Sequence, residues 1–102
     1  MIKIINENEF NEAINNDLAL LDFFADWCGP CKMMNPVIEK IANNNPDIKV
    51  AKVDIDESPN IARDYNILSI PTIIIFKNGS PADQTLGVVS EKIIMGKVNA
   101  LK

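Results

Sequence analysis

The chain holds two cysteines, Cys28 and Cys31, separated only by Gly29 and Pro30. Two thiols at this spacing can close into a disulfide and reopen, which is two-electron chemistry carried by the protein itself. On a helix, residues three apart lie about 4.5 Å apart along the axis and about 60° apart around it. Their Cα atoms are then about 5 Å apart, inside the range a disulfide accepts. Cys28 falls between an apolar run and a helical stripe. A helix start at that point favours an anion, through its unpaired N–H groups and its macrodipole. The thiolate is the form that attacks a disulfide, so Cys28 suits attack. Cys31, one turn further in and more covered, suits the resolving step. Gly29 leaves space above Cys28 for a large substrate. Pro30 lacks an N–H where the first helical turn would leave one unpaired.

Other uses of a Cys-x-x-Cys pair fit less well. A closed zinc site needs four ligands, and the chain has no histidine and no third cysteine. Haem attachment calls for histidine after the second cysteine, where Lys32 stands. A passive disulfide closing so short a loop stabilises little. The expectation is therefore no metal and no bound cofactor, with a reversible Cys28–Cys31 disulfide as the redox group.

The elements that must position this pair are legible around it. "IKII" reads as a short first strand, and Asn6 with Glu9 as a capping box opening a helix with Phe10, Ala13 and Ile14 on one face. "LALLDFFA" (18–25) is a near-continuous apolar run, the pattern of a strand covered on both faces. Met34, Val37, Ile38, Ile41 and Ala42 form a helical stripe that carries on from the cysteines, with a kink expected at Pro36. "IKVAKVDID" predicts a third strand, and Ser58-Pro59 a capped short helix. "TIIIF" (72–76) predicts another buried strand. The Asn78-Gly79 turn then predicts an antiparallel partner near 83–88, with Pro81 at an edge or a strand start. Ser90 opens a last helix with Ile94, Val98 and Leu101 inward. Strand–helix–strand order implies parallel pairing, and the hairpin adds antiparallel strands. One domain over residues 1–102, an α/β mixed sheet with helices on both faces, is expected.

The net charge is -4 and the sequence pI about 4.6, which argues against nucleic acid and against an anionic membrane surface. The start, "MIKIINENEF", has neither the long apolar run nor the small-residue cleavage site of a signal peptide, and no stretch approaches a membrane span. A cytoplasmic location is expected.

Three further residues have more than one reading. Asp22 is the only charge in "LALLDFFA". It either faces water from a partly exposed strand or is buried with a raised pKa, which suits a general base near neutral pH. Pro71 on its own reads as a strand-entry proline, and Trp27 on its own as core.

"DFFADWCGPCK" resembles the signature of the thioredoxin family, in which tryptophan precedes Cys-Gly-Pro-Cys and lysine follows. The resemblance extends along essentially the whole chain, through "VDID", "SIPT", "FKNG" and Gly87. It implies the thioredoxin fold, a central mixed five-stranded sheet flanked by four helices. It implies that Cys28 attacks and Cys31 resolves. It also implies that Asp22 is buried beneath Cys31 as a proton relay near Lys52, and that Pro71 is cis and faces the cysteines. Trp27, Gly29, Pro30, Ile70, Pro71, Gly87 and Val88 then match the family's mostly apolar surface around the reactive sulfur, where Ile70 would pair with an extended substrate segment. The chain departs from the family pattern at Phe24, where tryptophan is common, at Asn66, where glycine is frequent, and in its loosely matching last helix.

The resemblance implies a monomeric electron carrier that reduces protein disulfides and is recharged by a thioredoxin reductase. Two alternatives stand beside it: a disulfide oxidase or isomerase module, and a non-catalytic binding subunit on the same fold.

Overall fold

The computed structural model describes residues 2–102. The elements run α1 (Glu7–Ile14), β1 (Leu18–Phe24), α2 (Gly29–Asn44), β2 (Lys49–Asp54), α3 (Pro59–Asp64), β3 (Thr72–Lys77), β4 (Ser80–Leu86) and α4 (Glu91–Leu101). The strand order is β2-β1-β3-β4. β1 pairs with β2 in parallel, while β3 is antiparallel to both β1 and β4.

The expected first strand is reduced to a single parallel bridge, Ile4 to Lys52. Ile5 N–H donates to the Lys52 carbonyl at 2.8 Å, and Lys52 N–H donates to the Lys3 carbonyl at 2.9 Å. This segment gives the mixed sheet its fifth position, beyond β2. It stays short because the capping box takes over at once. Asn6 accepts from Glu9 N–H at 3.0 Å, and Glu9 accepts from Asn6 N–H at 3.0 Å.

β1 is buried along its whole length, and its alternation sorts the core into two layers. Ala19, Leu21 and Phe23 face α1 and α3, packing with Phe10, Ala13, Ile61 and Phe76. Leu18 and Leu20 face α2 and α4, packing with Met34, Ile38, Ile41, Ile94 and Val98. Each such Leu, Ile, Phe, Met or Val side chain removed from water contributes about 1.5–3 kcal/mol. By the same alternation Asp22 points to the α2 side, in register with Lys52 on β2 and Ile73 on β3.

Two other expectations are corrected. Ser58 occupies the N-cap of α3 but its side chain makes no cap bond, its backbone having left the extended region that capping requires. The Glu7 carboxylate of α1 supplies the acceptor instead, taking Asn60 N–H at 2.9 Å. The last strand begins at Ser80 rather than near 83. Asn78 and Gly79 have φ of 50° and 85°, the geometry of a two-residue hairpin turn, so pairing starts directly at Lys77–Ser80. Pro81 falls on this edge strand, opposite Phe76 and beside a register shift. Gly87, with φ of 84°, ends the strand.

Candidate redox site

Cys28 is the N-cap of α2, the position the sequence assigns it. Its own N–H donates to the Ala25 carbonyl at 3.1 Å, which anchors the turn out of β1. Its Sγ accepts the Cys31 N–H at 3.1 Å. The sulfur thus meets one of the N–H groups a helix start leaves unpaired. Cys28 and Cys31 are joined as a disulfide with their Cα atoms 5.3 Å apart, close to the separation helical spacing predicts. Both residues are almost buried, 4% and 2% exposed, in a pocket of Phe24, Ala25, Ile55 and Ile70. Cys28 is therefore less open than its neighbour Gly29 suggests. The space lies above Gly29 itself, where an added Cβ would meet nothing within 4 Å. Pro30 sits in the first turn, exposed.

The Ile70–Pro71 peptide bond is cis, and Ile70 packs against the cysteine cluster. The Pro71 carbonyl accepts Gly87 N–H at 2.9 Å, so the loop after β4 is tied to the same end of the sheet. Val88 follows, exposed. Trp27 is 70% exposed rather than core, and its Nε1–H donates to Asp56 Oδ2 at 2.8 Å. Trp27 and Ile70 line a groove of about 250 Å³ with Ile55, Ile67, Leu68 and Ser69. Leu68, 94% exposed, stands at its rim.

Asp22 is fully buried, and neither carboxylate oxygen has a hydrogen-bond partner among the described residues. Burial pushes its carboxyl up to about 7, against the pull of the Lys52 charge, which lowers it. The water-facing reading of Asp22 is excluded. Lys52 stands beside it in the β1–β2 register, yet donates its ammonium to Asn35 Oδ1 at 2.6 Å and lies 4.3 Å from the centre of the Phe24 ring. A second cleft, of about 200 Å³, is lined by Cys31, Lys52, Asn35, Phe24, Asp26 and Lys32 among others. Cys31 and Lys52 thus share one cavity.

Sequence reasoning missed Asn35 and Asp56. An asparagine inside a helix and an aspartate in a polar turn carry no local signal; only their partners across the fold distinguish them. No group of three or more metal-binding side chains is gathered among the described residues.

The chain matches the family model described as Thioredoxin over residues 1–100. It is similar to a thioredoxin of Chlamydia trachomatis, 44% identical over 88 residues with 86% of each chain covered. A thioredoxin of Rickettsia felis is 41% identical over 102 residues, with 97% of each covered. Among solved structures, Plasmodium falciparum thioredoxin superposes with a TM-score of 0.89 at 36% identity, covering 97% of this chain and 98% of that one. A mutant thioredoxin from Halobacterium salinarum gives 0.91 at 33% identity, covering 98% and 88%. With a disulfide at the start of α2, a buried aspartate in the strand that leads to it and the family matched over nearly its whole length, the chain belongs to the thioredoxin family.

Proposed function

We propose that this chain is a protein-disulfide reductase and electron carrier. In the reduced form the Cys28 thiolate attacks one sulfur of a substrate disulfide, and the other sulfur leaves as a thiolate and takes a proton from solvent. The Cys31 thiol then gives its proton, relayed through a water, to the Asp22 carboxylate and attacks Cys28 Sγ. The second substrate sulfur is released, and Asp22 returns the proton to it. Two electrons pass to the substrate, and the Cys28–Cys31 disulfide remains. A thioredoxin reductase restores the dithiol. Lys52 sets the charge around Asp22. The groove beside Trp27 and Ile70, with Gly29, Pro30, Pro71, Gly87 and Val88 around the disulfide, receives an extended segment of the substrate.

The observation that carries this reading is the Cys31 N–H on Cys28 Sγ at 3.1 Å at the first turn of α2. A helix start that donates to this sulfur stabilises the charged form that attacks. The residues 1–102 act as one unit in this reading, as a monomer without a bound cofactor. No helix among the described residues is long and apolar enough to cross a membrane, and a cytoplasmic site of action fits a reducing role.

Insulin reduction tests the assignment, run with reductases that draw on NADPH or on ferredoxin. Cys31→Ser is expected to accumulate a mixed disulfide with substrate, and Cys28→Ser to be inert. If the Cys28→Ser variant reduced insulin at the wild-type rate, the assignment of the attacking sulfur would be wrong. A strongly oxidising reduction potential would favour the oxidase reading instead.

A further inference from the structure

Asn35 lies one turn beyond Cys31 on α2, immediately before Pro36. Its Oδ1 accepts the Lys52 Nζ hydrogen bond at 2.6 Å, across the cleft that Cys31 also lines. The same ammonium lies over the Phe24 ring, 4.3 Å from its centre. A lysine on its four-carbon stem otherwise spreads its charge through solvent. Here a charge-assisted bond and a cation–π contact hold it in one place. The acceptor is a neutral amide. A carboxylate at this position would hold the ammonium and cancel its field; an amide holds it and leaves the field intact.

We propose that Asn35 is a positioning residue, clasping the Lys52 ammonium over the cleft and so keeping a fixed positive charge beside the Asp22 carboxyl. Its consequence for the Cys31 step rests on the reading of Asp22 as proton relay; the electrostatic clasp itself does not.

Competing charges around Asp22 are few. β2 contributes Lys52. α2 contributes Cys31 and Lys32, and the turn before it Asp26, all at the cleft. β3 places Ile73 opposite Asp22. α4 turns Ile94 and Val98 inward and commits Lys97 to Asp83 and Thr85 of β4. The N-terminal segment brings Ile4 to the cleft, while Lys3 pairs with Glu9. Asp54 on β2 is held by the N–H groups of Asp56 and Glu57, at 2.9 and 3.4 Å.

The test follows the Asp22 carboxyl by ¹³C NMR titration of the oxidised protein, assigned with Asp22→Asn. It compares wild type, Asn35→Ala, Lys52→Met and the double variant. Releasing the clasp lets the ammonium drift into water, so Asn35→Ala is expected to raise the Asp22 midpoint by about half a pH unit. That lowers the ionised fraction at pH 6 about threefold. Lys52→Met is expected to raise it at least as far, and adding Asn35→Ala to Lys52→Met to change nothing more. An unmoved midpoint, a lowered one, or an equal rise without Lys52 overturns the proposal. The pH profile of mixed-disulfide resolution, measured by stopped flow, is expected to follow the midpoint. If the midpoints behave as stated but resolution ignores both Asn35→Ala and Asp22→Asn, the clasp stands and the relay reading falls.

Discussion

Lys52 stands directly across from Asp22 in the parallel β1–β2 register, yet its ammonium is bonded to Asn35 and not to Asp22. The carboxyl is left buried without a donor among the described residues, beside a positive charge that is bonded elsewhere. An ion pair would fix Asp22 as a permanent carboxylate. The arrangement found leaves it able to take and release a proton near neutral pH, which general-base duty needs.

The same arrangement costs stability, and the cost depends on pH. The folded pKa of Asp22 is raised from 3.8 to about 7, so the fold binds this proton more tightly than the unfolded chain does. Its contribution is fully favourable below the unfolded value and is lost as pH rises through the interval to about 7. The loss approaches about 4 kcal/mol in total. Asp22→Asn removes the titration. Urea unfolding of the oxidised proteins at a series of pH values is expected to show the variant gaining on wild type between pH 4 and 7, then running parallel above. A constant difference across that range would mean that Asp22 titrates in the fold as it does in water.

Asn66 has φ of 54°, in the left-handed region, at the end of the turn that follows α3. Asparagine accepts this conformation, glycine accepts it freely, and alanine resists it by about 1 kcal/mol or more. Asn66→Ala is therefore expected to destabilise by about that amount, and Asn66→Gly to be close to neutral. Equal midpoints for the two variants in thermal melts would show that the backbone strain is relieved elsewhere.

Wherever one face or one local signal decided the outcome, the fold was legible. β1 reads as buried because "LALLDFF" has no polar face, and α1 as capped because Asn6 and Glu9 satisfy each other locally. The cysteine geometry was legible for the same reason: helical spacing fixes the Cα separation. Contacts between distant elements were not. Glu7 replaces Ser58 as the acceptor at α3, and the choice depends on how α1 docks, which no local pattern encodes. Asn35 and Lys52 are 17 residues apart, and their bond exists only because α2 crosses β2 at that level. The "IKII" segment keeps one bridge because the capping box competes for its end. Trp27 on its own reads as core, and only its place beside Cys-Gly-Pro-Cys points to the surface, where its indole N–H finds Asp56.

That indole bond is itself open to test. Trp27 is the only tryptophan, so its emission reports one ring. Asp56→Ala removes the acceptor at 2.8 Å and frees the exposed ring to rotate. Steady-state fluorescence anisotropy is expected to fall, while stability changes by no more than about 1 kcal/mol because the pair is exposed. Unchanged anisotropy would mean that packing, not this bond, holds the indole.

Leu68 offers a way to separate docking from chemistry. At 94% exposure it contributes almost no buried area, so Leu68→Glu is expected to leave stability within about 0.5 kcal/mol of wild type. It does, however, stand at the rim of the groove that Trp27 and Ile70 also line. A charge there would face the apolar side chains of an incoming segment. The expectation is a KM for a protein disulfide raised about tenfold, roughly the effect of 1.4 kcal/mol, with kcat nearly unchanged. A small aromatic disulfide does not reach the rim, and its rate is expected to stay at the wild-type value. If both substrates slowed together, the substitution would be acting on the cysteines, and the groove would have no part in recognising the substrate chain.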